Sequence, residues 1–421
     1  MKQLQAAGPQ MGSVKPASSA RQILVSRSAI ASRVAANPGL TVKEDAAPLF
    51  TSFKIGKYEL QHRVIMAPLT RCRAPNNLPV PDMATYYAQR ASLGGLIISE
   101  GTVISEQARG YPNTPGIWTA EQVAAWQPVT QAVRDRGGVF FCQLWHVGRA
   151  SHPDYQLGGA APVSASAVPV GDGSVVFTPR SEACPFPTPR ALQLDEIPGL
   201  VQQFVDAARN AIAAGFHGVE VHAANGYIID QFWKDNTNLR TDAYGGSTAN
   251  KARLMLQVLE AVAAAVGEEH VGVRLCPYNV WMDATDGIDA AVDKNVWLMQ
   301  ELQQRLPDLT YVHMVEPRVA GGNVELEGEV GHSLAPFRQA CGSPFLVAGG
   351  HSRASAIAAV SSGQAGGVVF GRFFVANPDL PRRLALDAPL NPYNRDTFYT
   401  PGLEGYTDYP FLNEQQVVVS F

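Results

Sequence analysis

The sequence predicts an α/β fold, a single (β/α)8 barrel of the TIM type. Two observations predict it. From residue 49 onward, a short apolar run is followed by a longer amphipathic run eight times, and the short runs have no polar face. Strands that are apolar on both faces and joined by helices are typical of a parallel sheet, and eight such units close into a barrel. An open doubly wound sheet is the alternative, disfavoured because no G-x-G-x-x-G turn follows the first strand.

Each of the eight strand-like runs is followed by a helix-like run. In chain order they are residues 63–68, 94–101, 138–146, 218–224, 270–277, 309–317, 344–350 and 366–372. The helix after the second run should begin at Thr119, because Gln122 three residues later completes a capping box. Residues 148–190 form a long Gly- and Pro-rich insertion after the third strand, for which we predict a hairpin near residues 171–177 or a lid. The aromatic, irregular tail from Asn391 should pack over an open face of the barrel.

The first 43 residues differ from the rest of the chain. They contain six Lys or Arg residues, and the first acidic residue is Glu44. Acid-free, Ser- and Ala-rich leaders of this kind resemble organelle transit peptides. The segment at residues 33–36 resembles the cleavage region of plastid leaders, so we expect a plastid protein, with the mitochondrion as second choice. A disordered tail is the alternative, and the catalytic barrel is assigned to residues 44–421.

Composition excludes several classes of partner. The formal net charge of −4 disfavours a nucleic-acid binder, and no apolar run is long enough to cross a bilayer. The five cysteines are widely spaced without a C-x-x-C pair, which is typical of a reducing compartment. His217 and His222 project to opposite faces of a strand, and no H-E-x-x-H motif occurs, so no metal site is predicted. We expect a small-molecule substrate and a monomer or homodimer.

Polar residues gather where the predicted strands end, which is where this fold places its chemistry. The seventh run ends in Gly349-Gly350 and the eighth in Gly371-Arg372, which suits a phosphate because bare backbone N–H groups lie beside a guanidinium. Arg274 in the fifth run alternates toward the barrel interior, where an unpaired cation is costly to bury. It forms either a structural salt bridge or, with Gln143 and Thr70, a site for the polar edge of a heterocycle. The second reading, added to the phosphate site, points to FMN.

The segment HAANGYIIDQF, residues 222–232, places His222, Asn225 and Tyr227 directly after the fourth run. Here the chain becomes similar to a known family. Seven segments, in order along residues 49–410, resemble the Old Yellow Enzyme family: APLTRCRA (67–74), NTPGIW (113–118), QLWHVGR (143–149), HAANGYIIDQF (222–232), NLRTDAYGGS (238–247), FGRFFVANPDL (370–380) and RDTFY (395–399).

The resemblance implies an FMN-containing barrel that reduces the C=C bond of α,β-unsaturated carbonyl compounds. The reductant would be NAD(P)H, mostly NADPH, in a ping-pong cycle with hydride transfer through flavin N5. It implies that His222 and Asn225 donate hydrogen bonds to the substrate carbonyl oxygen and that Tyr227 protonates the α-carbon.

The resemblance also implies residues that bind the cofactor and shape the pocket. Flavin-ring contacts would come from Pro68, Leu69, Thr70, Gly101, Gln143 and Arg274, and phosphate contacts from Gly349, Gly350, Gly371 and Arg372. The space over the ring would be shaped by Trp145, Tyr111 and Tyr399, and Arg318 would border the substrate.

One position departs from the plant 12-oxophytodienoate reductases of this family, which generally carry a second His where Asn225 stands. This puts oxophytodienoate as the natural substrate in doubt, although residues 280–286 resemble the plant branch. An oxophytodienoate reductase proper therefore remains an alternative. Two others are weaker: an FMN-dependent 2-hydroxy-acid oxidase leaves the His222 cluster unexplained, and a flavin-binding sensor without turnover would not need that cluster.

Overall fold

The structure is a computed structural model that describes residues 41–171, 173–180, 182–317, 319–321, 324–325 and 331–413. Residues 1–40, which make up nearly all of the predicted leader, lie outside the described residues, as does Arg318. None of the helices in the described ranges is long and apolar enough to cross a membrane.

Eight parallel strands form the barrel within the described residues. They are β1 Val64–Met66, β2 Leu96–Ile98, β3 Val139–Trp145, β4 Gly218–Ala223, β5 Val271–Leu275, β6 Tyr311–Val315, β7 Phe345–Ala348 and β8 Gly367–Phe370. Each strand pairs in parallel with its neighbours, including β8 with β1 and β3 with β4, so the sheet is closed. The predicted barrel is confirmed, and the open-sheet alternative is wrong.

Helices alternate with the strands and cover the outside of the barrel. They are α1 Pro81–Arg90, α2 Ala120–Arg134, α3 Ile197–Ala213, α4 Ile228–Trp233, α5 Thr248–Val266, α6 Ile288–Arg305, α7 Ala335–Ala340, α8 Arg353–Ser361, α9 Arg372–Ala376 and α10 Leu380–Leu386. The capping box at the start of α2 is confirmed, since the Thr119 side chain accepts from the Gln122 backbone and the Gln122 side chain accepts from the Thr119 backbone. The short helices α4 and α9 are additions to the predicted pattern.

The interior of the barrel is divided along its axis. Its amino-terminal half is filled by apolar side chains, and an antiparallel hairpin of Phe53–Ile55 with Tyr58–Leu60 packs there. The members of this inner core include Ile55, Leu60, Ile65, Leu96, Ile98, Phe141 and Leu346. Polar side chains lie toward the carboxyl ends of the strands, and the strand register places them side by side. Gln143 is the register partner of Glu220, and Arg274 lies between His222 and His313.

The predicted hairpin of the insertion is confirmed, with Val175–Phe177 antiparallel to Ala183–Pro185.

The tail packs over the carboxyl end of the barrel as expected, because two buried arginines after β1 bind its backbone carbonyls. Arg71 donates to the carbonyls of Phe398 at 3.1 Å and Gly405 at 2.7 Å. Arg73 donates to those of Gly402 at 2.8 Å, Thr397 at 3.0 Å and Glu404 at 3.0 Å. The tail is thereby fixed to the loop that follows the first strand.

Candidate active site

A cavity of about 370 Å³ opens at the carboxyl ends of the strands. It brings together the described residues predicted to bind a cofactor, which come from many separate places in the chain. Those residues are Pro68, Leu69, Thr70, Gly101, Gln143, Arg274, Gly349, Gly350, Gly371, Arg372 and Tyr399. Trp145, His222, Asn225 and Tyr227 line the same cavity. Tyr111 reaches the cavity through its contact with Trp145, on which its ring stacks at a centroid distance of 5.2 Å.

Glu220, which the sequence reasoning missed, lies below the cavity between three polar neighbours. Its carboxylate accepts from Gln143 Nε2 at 2.8 Å and from His313 Nδ1 at 2.9 Å. Burial would raise the pKa of Glu220, but His313 and Arg274 outweigh burial and hold it below the ordinary value. Because the Gln143 nitrogen is engaged by Glu220, its amide oxygen is left for a ligand.

Arg274 lines one edge of the cavity and has a hydrogen-bond donor that is not satisfied by the described residues. Its side chain is partly exposed to the cavity, but its Nε atom is buried and has no hydrogen-bond partner in the part of the chain that the structure describes. Burial lowers the pKa of this guanidinium, and the Glu220 carboxylate opposes that effect. A buried donor of this kind needs a carbonyl or anionic partner. The carbonyl-rich edge of an isoalloxazine meets that requirement, so the residues present fit FMN.

The opposite part of the cavity consists of Gly349, Gly350, Gly371 and Arg372, which we call the glycine side. Gly349 and Gly350 have φ values of 126° and 57°, a region that L side chains rarely adopt. The Arg372 guanidinium donates to the Tyr393 hydroxyl at 3.2 Å, which holds the cation at the rim. Bare backbone beside a positioned cation suits a phosphate group.

The remaining wall, which we call the aromatic side, consists of Trp145, His222, Asn225 and Tyr227. The Tyr227 ring meets both Trp145 and His222 edge-on, each at a centroid distance of 5.0 Å. The Tyr111 hydroxyl lies 3.2 Å from the Tyr227 hydroxyl. Edge-on contacts on two sides give Tyr227 a fixed ring position beside His222.

The protonation state of His222 follows from its contacts. The backbone N–H of Ala224 donates to His222 Nδ1 at 3.3 Å, so the proton of the neutral ring resides on Nε2. Burial, followed by the nearby Arg274 and His313, holds the pKa of His222 well below its usual 6.5. At neutral pH this imidazole is therefore an uncharged hydrogen-bond donor.

Tyr227 is a protonated acid at neutral pH. Burial raises its pKa to about 12, against the opposing effect of hydrogen bonds from Tyr111 and Trp281. Interactions that lower the pKa favour the phenolate, so Tyr111 and Trp281 would stabilise the oxygen after a proton leaves. The hydroxyl is thus arranged to give up one proton.

Asn225 sits in a left-handed conformation, with φ of 57°, in the turn between β4 and α4. Its backbone N–H donates to Cys276 Sγ at 2.8 Å, and the next N–H, that of Gly226, donates to Asp230 at 2.8 Å. The Cys276 sulfur therefore helps to fix the backbone of this turn.

Sequence reasoning also missed the loop after β5, where Asn279 and Trp281 line the cavity. Glu220 carried a usable signal, because it stands two residues before His222 in an otherwise apolar strand and therefore faces the same side. Asn279 and Trp281 carried none, since their positions depend on the course of an irregular loop.

The barrel combines three features: a glycine side suited to a phosphate, a guanidinium that faces the cavity, and uncharged hydrogen-bond donors on the aromatic side. This combination is the architecture of a flavin-dependent oxidoreductase. Comparison with known proteins agrees. Residues 48–391 match the NADH:flavin oxidoreductase / NADH oxidase family. The rice (Oryza sativa subsp. japonica) protein 12-oxophytodienoate reductase 1 is 48% identical over 378 residues, 90% of this chain and 96% of that protein.

Solved structures give the same answer. Morphinone reductase in complex with tetrahydroNAD has a TM-score of 0.81 at 44% identity, covering 87% of this chain and 98% of the other. The old yellow enzyme homologue from Zymomonas mobilis has a TM-score of 0.79 at 42% identity, covering 86% and 99%. The chain therefore belongs to the NADH:flavin oxidoreductase / NADH oxidase family, the Old Yellow Enzyme family, and is an oxidoreductase.

Proposed function

We propose that this protein is an FMN-dependent ene-reductase that uses NADPH to reduce the C=C bond of α,β-unsaturated carbonyl compounds. The observation that carries the proposal is the pairing of a neutral donor, His222, with a protonated phenol, Tyr227, 5.0 Å apart by ring centroids in the cavity edged by Arg274. The names of the rice relative and of the morphinone reductase complex support a reductase that takes a nicotinamide coenzyme.

The cofactor would span the cavity from its glycine side to its aromatic side. Its ring would contact Pro68, Leu69, Thr70, Gly101, Gln143 and Arg274, its phosphate Gly349, Gly350, Gly371 and Arg372, and Tyr399 would border it. Bound FMN would supply hydride-transfer chemistry between NADPH and the alkene. Since one cavity lies over the ring, coenzyme and alkene would use it in turn, which is a ping-pong cycle.

The residues of the aromatic side would bind and polarise the substrate. His222 Nε2–H and the Asn225 amide would both donate to its carbonyl oxygen, where negative charge develops as the β-carbon is reduced. Fixed donors at such an oxygen stabilise the transition state, and losing one costs about 3–4 kcal/mol. Trp145 and Tyr111 would limit the width of the pocket, and Arg318 would border the substrate.

Tyr227 would complete the reaction by protonating the α-carbon. The hydrogen bonds from Tyr111 and Trp281 would then stabilise the resulting phenolate until solvent returns its proton. A narrower proposal is that the natural substrate is an oxophytodienoate. The name of the rice relative favours this substrate, whereas Asn225, which stands where plant 12-oxophytodienoate reductases generally carry a His, disfavours it.

Anaerobic stopped-flow measurement of the two half-reactions tests the proposal. NADPH should reduce the bound flavin faster than NADH does, and cyclic enones, maleimides or nitroalkenes should then reoxidise it. The proposed function is rejected if the purified protein is colourless and does not bind added FMN, or if none of these alkenes reoxidises the reduced flavin.

A further inference from the structure

The two ends of the Asn225 side-chain amide have opposite hydrogen-bonding roles. Its Nδ2 donates hydrogen bonds and its Oδ1 accepts them, so only one orientation supplies a donor to a substrate oxygen. A half-turn of the amide would point an acceptor at that oxygen and repel it. Something must therefore select the orientation.

The orientation of the Asn225 amide is determined by a chain of hydrogen bonds that begins at the backbone N–H of Trp281. The backbone N–H of Trp281 can only donate, and Asn279 Oδ1 accepts from it at 2.6 Å. The other end of the Asn279 amide is then Nδ2, and this nitrogen donates to Asn225 Oδ1 at 3.3 Å. With Oδ1 occupied, the nitrogen of Asn225 is the group left for a ligand. One unambiguous donor thus fixes two amides in series.

Both ends of this chain are held in place. The carbonyls of Met282 and Asp283, just beyond Trp281, accept from the buried Arg149 guanidinium at 2.6 and 3.1 Å. Asn236 also donates to the Asp283 carbonyl, at 2.6 Å. At the other end, the Asn225 backbone is tied to Cys276. Asn279 itself is only 7% exposed, so water competes little for its amide.

We propose that Asn279 is a positioning residue that locks the Asn225 amide with its donor toward the cavity. The locked amide makes the pocket selective for ligands that offer an oxygen acceptor, such as a carbonyl, nitro or phenolate group. Ligands that present an N–H at this point are excluded. This inference rests on the proposed function, in which His222 and Asn225 share one substrate oxygen.

Asn279→Asp separates positioning from packing, because it keeps the size of the side chain and the acceptor for Trp281 while removing the donor. The Asn225 amide should turn over to donate to the new carboxylate. The probe is 4-chlorophenol, whose binding is measured by its long-wavelength charge-transfer band with the oxidised, flavin-loaded enzyme. We expect the Kd to rise about 10-fold or more in Asn279→Asp, as one charge-assisted hydrogen bond is lost.

Asn279→Ala should have a smaller effect, because it frees the Asn225 amide without forcing it to turn. A purely structural role predicts the reverse order, with Ala the more damaging change. The double variant Asn225→Ala/Asn279→Asp should bind 4-chlorophenol no more weakly than Asn225→Ala, since the removed amide can no longer be misdirected.

Three results would overturn the inference: Asn279→Asp binding like the parent, Asn279→Ala being worse than Asn279→Asp, or the Asp effect persisting in the Asn225→Ala background as simple charge repulsion. A parent enzyme that neither binds 4-chlorophenol nor is reoxidised by enones would instead remove the proposed function. The two failures are therefore distinguishable.

Discussion

The two ends of the cavity are built in different ways. The glycine side consists of backbone at two strand ends and one guanidinium, which donates to the Tyr393 hydroxyl of the tail. The aromatic side consists of side chains whose protonation and orientation are set by hydrogen bonds: Ala224 of the same strand end sets the His222 tautomer, and Tyr111 and Asn279 from other elements contact Tyr227 and Asn225. An ionised phosphate needs only space and positive charge, whereas a neutral oxygen needs a proton at a defined atom. Changes on the aromatic side should therefore alter chemistry without altering cofactor content, and changes on the glycine side the reverse.

Tyr227→Phe should give the largest effect and the clearest separation. Removing the proton donor should slow oxidation of the reduced enzyme by 2-cyclohexenone by roughly 10²–10⁴-fold. Flavin content and reduction by NADPH should stay at the parental level, as measured by stopped flow. Tyr111→Phe is the matched control, since it removes only a hydrogen bond to Tyr227, and it should stay within about tenfold of the parent. An equal loss in both half-reactions would reject the proton-donor role.

His222→Ala should have the next largest effect. Oxidation by the enone should fall roughly 10²–10³-fold, because a fixed donor to the developing negative charge is lost. The charge-transfer band of bound 4-chlorophenol should weaken or disappear in a titration. If the band were unchanged, His222 would not belong to the oxygen-binding site.

Gly349→Ala should affect the other end of the cavity. The φ of 126° is strained for any L side chain, at a cost of about 1–3 kcal/mol, so FMN binding should weaken roughly 5- to 150-fold. The flavin-to-protein ratio after gel filtration measures this. Gly363→Ala is the control, because Gly363 also has a positive φ, of 78°, but lies in a remote turn with open space around it. A fully loaded Gly349→Ala enzyme with slow enone chemistry would break the division between the two sides.

The smallest effect should be that of pH. The pKa of His222 lies well below 6.5, so lowering the pH toward about 6 leaves it neutral. The pKa of Tyr227 is raised to about 12, so raising the pH to about 9 leaves it protonated. The rate of oxidation by the enone should therefore be flat between those limits. A loss of rate on acidification with a midpoint near 6.5 would show that His222 titrates like an exposed histidine.

The same contrast explains what the sequence could reveal. The strands, the inward face of Arg274 and the glycine pairs follow from alternation along the chain and from position at strand ends. The grouping of His222, Asn225 and Tyr227 follows from closeness in sequence. What escaped prediction depends on contacts between distant segments. Asn279 acts through a loop that Arg149 holds from 133 positions away, and no local pattern encodes such a contact.

The anchoring of the tail by Arg71 and Arg73 has a consequence for the order of assembly. Phe398 and Tyr399 line the cavity, and the backbone carbonyl of Phe398 is bound by Arg71 across 327 positions of chain. During synthesis the barrel strands emerge before this tail does. The cavity wall thus becomes complete only after the segment through Gly405 has emerged and packed on the barrel, so FMN would meet a finished site only after that late step of folding.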